Sequence, residues 1–465
     1  MENHRQVYDE NQPHIVIFPF VLQSHIKPLL CLAEFLSQAG LLVTFVLTHQ
    51  NHSRLVDTLA LPSRHRLPNL RLVPISDGFP DDFPRTLGYN YISAMRSATK
   101  PHLKELLQSL SSPPVTCMIS DGIMSFPIEV AEELKIPVFT FYVCGPRYLW
   151  AIFNLPKLVE KGKLPFADDG DMNQEICHDA PELEGLKRRD LPPFCMSKYH
   201  HPNLEFYINE HLAMTRSSGL ILNTLDDPSL PHLRHLFQKI YTVGPLHSLS
   251  STISDQSNGC LRKEEESCLT WLDSQPSKSV IYVSFGSVVT TTRNQLLEFW
   301  HALVNSDYPF LFVLRSDLIR DMTLEELKVC PSGRGYVVGW APQERVLAHK
   351  AVGGFLTHGG WNSIMESIAA RVPMICWPPQ LSADCSINTK LVSKEWGIGV
   401  ELDASDTETI KGSIKKFMET HRAEIQNSID GIGKLAWDSI SPGGSSYDNL
   451  EMLIKDITKM QHKGE

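Results

Sequence analysis

HIVIFPFVLQSHIKPLLCLAEFLSQAGLLVTFVL, residues 14–47, reads as a complete β-α-β unit. His14–Phe20 is a continuous apolar run, the pattern of a strand buried on both faces. Pro28 stands where a first helical turn is expected, since its missing N–H costs nothing there. Leu29, Leu30, Leu32, Ala33 and Leu36 recur at helical spacing, and Gly40 supplies the left-handed residue that ends a helix. Leu41–Leu47 is the next apolar run. Two strands joined by a crossover helix lie parallel, with a right-handed connection.

The same alternation continues along the chain. Thr116–Ser120 and Val138–Val143 read as strands flanking a helix over Ile128–Leu134. In the second half Val280–Ser284, Phe310–Leu314, Tyr336–Val338, Gly354–Thr357 and Met374–Trp377 read as strands. Helices are expected over Asn294–Val304, Glu344–His349, Trp361–Ala370 and Ile387–Glu395. The fold class is therefore α/β, with two doubly wound halves. His247–Gly259 is rich in Ser and reads as an exposed linker between them. The expected division is residues 1–246, a linker over 247–262, a second domain over 263–441, and a closing segment over 442–465.

Length and charge narrow the function. The 465 residues exceed what one core serves, at roughly 100–200 residues per domain. With 43 basic against 53 acidic residues, the net charge of −10 argues against a nucleic-acid partner bound by phosphate neutralisation. No run reaches the ~18 apolar residues of a membrane span, and the polar N-terminus is not a signal peptide. Ten scattered cysteines without a CxxC pair point to a reducing cytoplasm.

Ligands of open α/β sheets bind at the carboxyl ends of the strands. His25 follows the first strand and Asp121 follows Ser120, so the two meet if those strands are neighbours. A carboxylate on one imidazole nitrogen fixes the tautomer and leaves the other to act as general base. On spacing alone, an unrelated helix-start histidine and loop aspartate are the simpler reading. His358-Gly359-Gly360-Trp361-Asn362-Ser363 joins a strand to a helix, where backbone amides and the helix N-terminus favour an anion. Asn362, Ser363 and Glu366 share a face of that helix. Ser284-Phe285-Gly286-Ser287 is a second glycine turn after a strand, and Trp340-Ala341-Pro342-Gln343 follows a third. Two such turns in one domain favour a diphosphate, although either alone is equally a tight packing turn. There is no P-loop, no GxSxG elbow and no GxGxxG after the first strand. Asp169-Gly170-Asp171 lies in a polar insert and reads as a solvated loop. His49, His52, His200 and His201 lack partners at metal-ligand spacing.

Trp340–Cys385, WAPQERVLAHKAVGGFLTHGGWNSIMESIAARVPMICWPPQLSADC, resembles the C-terminal signature of plant family-1 UDP-glycosyltransferases. FPFVLQSH at 18–25, SDGIMSF at 120–126, WLDSQPSKSVIYVSFGS at 271–287 and GGSSYDNL at 443–450 are similar to further segments of that family. SDGFPDD at 76–82 looks like its iridoid and terpenoid branch. The resemblance implies a GT-B fold, two Rossmann-like domains facing across a cleft, with the acceptor in the first and a UDP-sugar in the second. It implies His25 as base and Asp121 as its partner. Trp340 would stack on uracil with the Ala341 backbone beside it, and Gln343 and Glu366 would face the ribose. Ser287, His358, Asn362 and Ser363 would hold the diphosphate, and Trp361, Asp384 and Cys385 would face the sugar. Residues beyond Pro442 would return to the first domain. The implied activity is inverting, metal-independent transfer, with UDP-glucose as donor, to a hydroxyl or carboxyl of a small metabolite. No resident cofactor is implied, and a monomer is expected. A catalytically silent nucleotide-sugar-binding protein is the alternative. Three positions depart from the pattern: Gly359 stands for the usual Cys, Cys385 for the usual Gln, and two extra residues precede Asp384.

Overall fold

The computed structural model describes residues 10–58, 68–80, 83, 85, 89–167, 170–176, 183–199, 203–253, 260–318, 333–379, 384–403 and 406–461. Two compact units divide the chain. Unit one comprises Met1–Pro146, His201–Leu261 and Ser439–Glu465; unit two comprises Arg147–His200 and Arg262–Asp438.

Unit one is built on seven strands: β1 (His14–Phe18), β2 (Leu42–Thr48), β3 (Leu70–Ile75), β4 (Val115–Asp121), β5 (Val138–Tyr142), β6 (Gly219–Leu222) and β7 (Ile240–Thr242). Their order is β3-β2-β1-β4-β5-β6-β7, and the β1 pairings with β2 and β4 are parallel. Every residue of β1, β2 and β5 is buried, as the apolar runs require of strands covered on both faces. The first helix begins at Gln23, a turn earlier than Pro28 suggested, so this proline sits inside it and removes one helical N–H.

Unit two carries β8 (Val280–Ser284), β9 (Phe310–Val313), β10 (Gly335–Val338), β11 (Val352–Thr357), β12 (Met374–Cys376) and β13 (Gly399–Glu401). The order is β10-β9-β8-β11-β12-β13, again parallel at the centre. The expectation of two doubly wound sheets holds. Each reverses direction once, between β1 and β4 and between β8 and β11, and the crevices at those reversals are where ligands bind.

One segment differs from the sequence reading. Leu246–Ile253 is helical, and Leu246 and Leu249 are buried in the core of unit one. Its serines hid an amphipathic period. The helix Ser445–Gln461 lies on β7 of unit one: Leu450, Leu453 and Ile457 enter the core at helical spacing. Its polar side binds too. Asn449 donates to the Thr242 carbonyl at 3.1 Å, and the Tyr241 hydroxyl donates to Asp456 at 2.8 Å.

Unit one also buries His14 and His211. His211 bonds the Tyr207 carbonyl through Nδ1 at 2.7 Å and the Tyr142 hydroxyl through Nε2 at 3.0 Å, the pattern of a neutral ring. Burial pushes its pKa down to about 4, against the weaker opposing pull of the Tyr207 carbonyl and the Asp121 charge. Burial likewise lowers that of His14, which contacts the Pro113 carbonyl. The unfolded chain takes up these protons below about pH 6.5 while the folded chain refuses them, so stability falls as pH drops from there toward about 4. The urea midpoint should therefore be lower at pH 5 than at pH 7.5. His211→Gln, which keeps both bonds but cannot titrate, should show a smaller drop; an equal drop would remove His211 as a cause.

Candidate active site

In unit one the site forms at the β1/β4 reversal. Phe18 of β1 pairs in register with Ser120 of β4, which places Asp121, the last residue of β4, beside the chain leaving β1. That chain turns through Phe20 and enters its helix two residues before His25. His25 Nδ1 lies 2.7 Å from Asp121 Oδ2. The carboxylate is fully buried, and it accepts two further bonds, from the Phe20 and Ile123 amides, each at 3.2 Å. A buried carboxylate needs such donors. Facing it, Nδ1 is the protonated nitrogen, so Nε2 is the one able to accept a proton. The Phe20 ring packs edge-on to His25 at 5.3 Å, and Tyr91, Phe79 and Phe83 extend the aromatic surface.

In unit two the turns after β8 and β11 lie side by side at the second reversal. Gly286 has φ +72, and a Cβ there would lie 2.5 Å from His358 Cε1. Only glycine gives both the left-handed backbone and the room. Ser287 follows directly. His358 keeps part of its surface exposed, yet burial of the ring, then the Arg315 charge, push its pKa down to about 4. It is therefore a neutral donor or acceptor at ordinary pH. Gly359 has φ +84, and a Cβ would meet Thr389 Oγ1 at 2.8 Å and the Cys385 carbonyl at 3.0 Å. The helix Trp361–Ala370 then presents its N-terminus at the crevice.

Gln343, Ser363 and Glu366 are brought together directly. The Gln343 amide donates to Ser363 Oγ at 3.0 Å and to Glu366 Oε2 at 2.6 Å, and Tyr282 donates to its carbonyl oxygen at 3.1 Å. Asp384 and Cys385 begin the helix Cys385–Lys390. Asn388 joins that helix to the turn, donating to Asp384 Oδ2 at 2.8 Å and to the Gly359 carbonyl at 3.0 Å. The Trp361 indole is buried and packs on Trp396 at 6.1 Å; Asn362 is half-buried beside it in the chain. Trp340 and Ala341 follow β10, with the Arg262 guanidinium 5.1 Å from the Trp340 ring centroid.

Asp171 is exposed and closes a local turn by accepting from the Asn173 amide at 2.9 Å, while Asp169, His200 and His201 lie outside the described residues. His49 and His52 lie on the helix His49–Thr58. Among the described residues no group of three or more His, Cys, Asp or Glu side chains is placed to hold a metal ion. No described helix is long and apolar enough to cross a membrane. Sequence reasoning missed Asn388, Arg262 and Arg315. Arg315 alone had a signal: it follows the carboxyl end of β9, where site residues are expected.

Residues 217–422 match the family model for UDP-glucoronosyl and UDP-glucosyl transferase. The chain is 41% identical to 7-deoxyloganetic acid glucosyltransferase of Catharanthus roseus, over 96% of this chain and 98% of that one. It is 43% identical to mogroside I-A1 synthase of Siraitia grosvenorii, over 97% and 90%. The chain belongs to this family. Among solved structures, Os79 from O. sativa in complex with UDP superposes with a TM-score of 0.83 at 26% identity, over 95% of this chain and 100% of that one. The two parallel-sheet units are thus the Rossmann-like domains of the GT-B fold, and the chain is a UDP-glycosyltransferase rather than a silent binding protein.

In this UDP-glycosyltransferase Gly286→Ala should force the β8 turn or His358 out of place. The expected result is a KM for the UDP-sugar raised by about tenfold or more, with the acceptor KM unchanged. Steady-state kinetics with each substrate varied in turn would check it.

Proposed function

We propose that this enzyme transfers glucose from UDP-glucose, with inversion, to a hydroxyl or carboxyl oxygen of a small plant metabolite. The observation that carries the catalytic part is the 2.7 Å contact between His25 and Asp121 at a strand-order reversal. Nε2 of His25 takes the acceptor proton as the acceptor oxygen bonds to the anomeric carbon. The bond from that carbon to the diphosphate oxygen breaks on the opposite side, and UDP leaves with the electron pair. Asp121 stabilises the imidazolium and gives no proton itself. The glycine turns at Gly286 and Gly359, with Ser287, His358, Asn362 and Ser363, meet the charge growing on the diphosphate. Backbone amides and neutral side chains supply those donors, which supports transfer without a metal.

Trp340 and Ala341 take the uracil, and Gln343 and Glu366 the ribose; the Gln343–Glu366 bond supports that pairing by fixing the carboxylate before ligand arrives. Trp361, Asp384 and Cys385 are assigned to the sugar. Glucose as donor, and a small metabolite as acceptor, rest on the named activities of the relatives. The acceptor is assigned to residues 1–246 and the donor to 263–441, with the helix Ser445–Gln461 returning to the first domain. Scattered cysteines support a cytoplasmic setting, and two half-sites on one chain support a working monomer.

His25→Ala should lower kcat by ~10²–10⁴ while UDP affinity stays near wild type. Transfer within about tenfold of wild type would reject the base assignment. The same assay in EDTA should run at full rate; loss restored by Mg²⁺ would return attention to Asp169 and Asp171. For the donor, a thiol at Cys385 is a poor hydrogen-bonding group for a sugar hydroxyl, and one lost neutral bond is worth ~0.5–1.5 kcal/mol. UDP-glucose should therefore remain the best of a UDP-sugar panel, with Cys385→Gln sharpening its margin. A wild type that ignores UDP-glucose but uses another sugar nucleotide would overturn the donor.

A further inference from the structure

Arg315 is the largest of the fully buried side chains, at 2% exposure, in a protein whose other charges mostly face water. It follows β9, and its guanidinium has three sets of partners. One nitrogen, Nη1, donates to the Gly286 carbonyl, and Nη2 donates to the Val289 carbonyl at 2.6 Å. Nε and Nη2 also grip Asp317 in a two-toothed pair, at 3.2 and 3.0 Å. Asp317 in turn lies 3.8 Å from the guanidinium of Arg262, and Arg262 lies over the Trp340 indole. A continuous set of contacts therefore runs from the turn after β8 to the aromatic ring after β10, across two strands of the sheet.

A buried arginine must replace its lost hydration with protein acceptors, and a planar fork is suited to bridging fixed ones. Lysine, with its three donors on one nitrogen, could not reach both carbonyls and both carboxylate oxygens at once. The arrangement has nothing to gain from this cost as plain packing, since an aliphatic side chain would fill the space more cheaply. It makes sense where two separate elements must hold one spacing.

We propose that Arg315 is a positioning residue of the donor site, bracing the Gly286–Val289 turn and, through Asp317 and Arg262, tying it to the Trp340 indole. This rests on the reading of that turn and that indole as the diphosphate and uracil contacts. The nucleoside and diphosphate of a nucleotide sugar are a fixed covalent distance apart. A site whose two ends are braced together is pre-organised for that spacing and loses less freedom on binding. Arg315 contacts protein groups and does not touch the reacting atoms; it acts through the turn.

The test is UDP binding by calorimetry on the full chain, with wild type measured first. Wild type that fails to bind UDP overturns the donor-site reading itself. Given binding, Arg262→Ala should weaken it by ~2–5-fold, the worth of an exposed cation–π contact, and Asp317→Asn by at least as much. Arg315→Lys should weaken it by about tenfold or more, as bonds to a charged group are lost. The double variant Arg262→Ala/Asp317→Asn should be no worse than the weaker-binding single, because both break one chain of contacts. The acceptor KM should not move. A second readout separates bracing from general loosening: in Arg262→Ala and Asp317→Asn the KM for the UDP-sugar should rise while kcat stays near wild type. UDP affinity within twofold of wild type for both Arg262→Ala and Asp317→Asn, or effects that multiply in the double variant, would overturn the proposal, and these two exposed-side substitutions decide it even where an Arg315 variant fails to fold.

Discussion

A parallel sheet whose strand order reverses must send the chain from two neighbouring strands to opposite faces. Between them, at their carboxyl ends, no crossover helix covers the gap. This constraint operates twice here, at β1/β4 and at β8/β11, and the rest of the molecule is arranged around it. His25 and Asp121 leave the two strands of the first reversal. Gly286 and His358 leave the two strands of the second. Residues far apart in the chain, 96 in the case of His25 and Asp121, meet because the hydrogen-bond ladder sets their strands side by side. The sheet supplies a distance that no loop alone would hold.

Charge is handled differently in the two domains. The first concentrates it: Asp121 is buried without loss because two amides and an imidazole N–H satisfy its oxygens. The second spreads it. His358 is kept neutral by burial and by Arg315, so the ring beside the β8 turn donates or accepts without adding a full charge. The positive charge nearby belongs to Arg315, pinned among carbonyls and Asp317. In the proposed donor site a diphosphate would meet fixed dipoles, which need no reorganisation as its charge grows.

Where the chain departs from its family's pattern, the structure gives a local reason to treat two positions together. Gly359 adopts a left-handed backbone, and the Cys385 carbonyl lies 3.0 Å from where its Cβ would stand. A side chain at 359 would press on the start of the helix that carries Cys385. Asn388 bonds both Gly359 and Asp384, so the turn and the helix start share one support.

Sequence alone determined the elements whose patterning is strong. Runs such as IVIF and VTFVL are apolar at every residue but Thr44 because both faces of a parallel strand are covered, and Trp361–Ala370 has a glycine entrance and a clear helical period. It was silent where burial is partial or strands are short: β3 is half-exposed and holds Pro74, while β7 and β13 are three residues each. It also took the serines of Leu246–Ile253 for a linker, since only tertiary packing reveals that Leu246 and Leu249 have a core to enter. The candidate site divides in the same way. Glycine turns and a histidine after a strand are local signals and could be read along the chain. That Asp121 belongs to His25, that Gln343 holds Glu366, and that Arg315 reaches from β9 to the Gly286 turn were decided only by strand order, because each is a contact between residues that the sequence separates and the sheet brings within hydrogen-bonding reach.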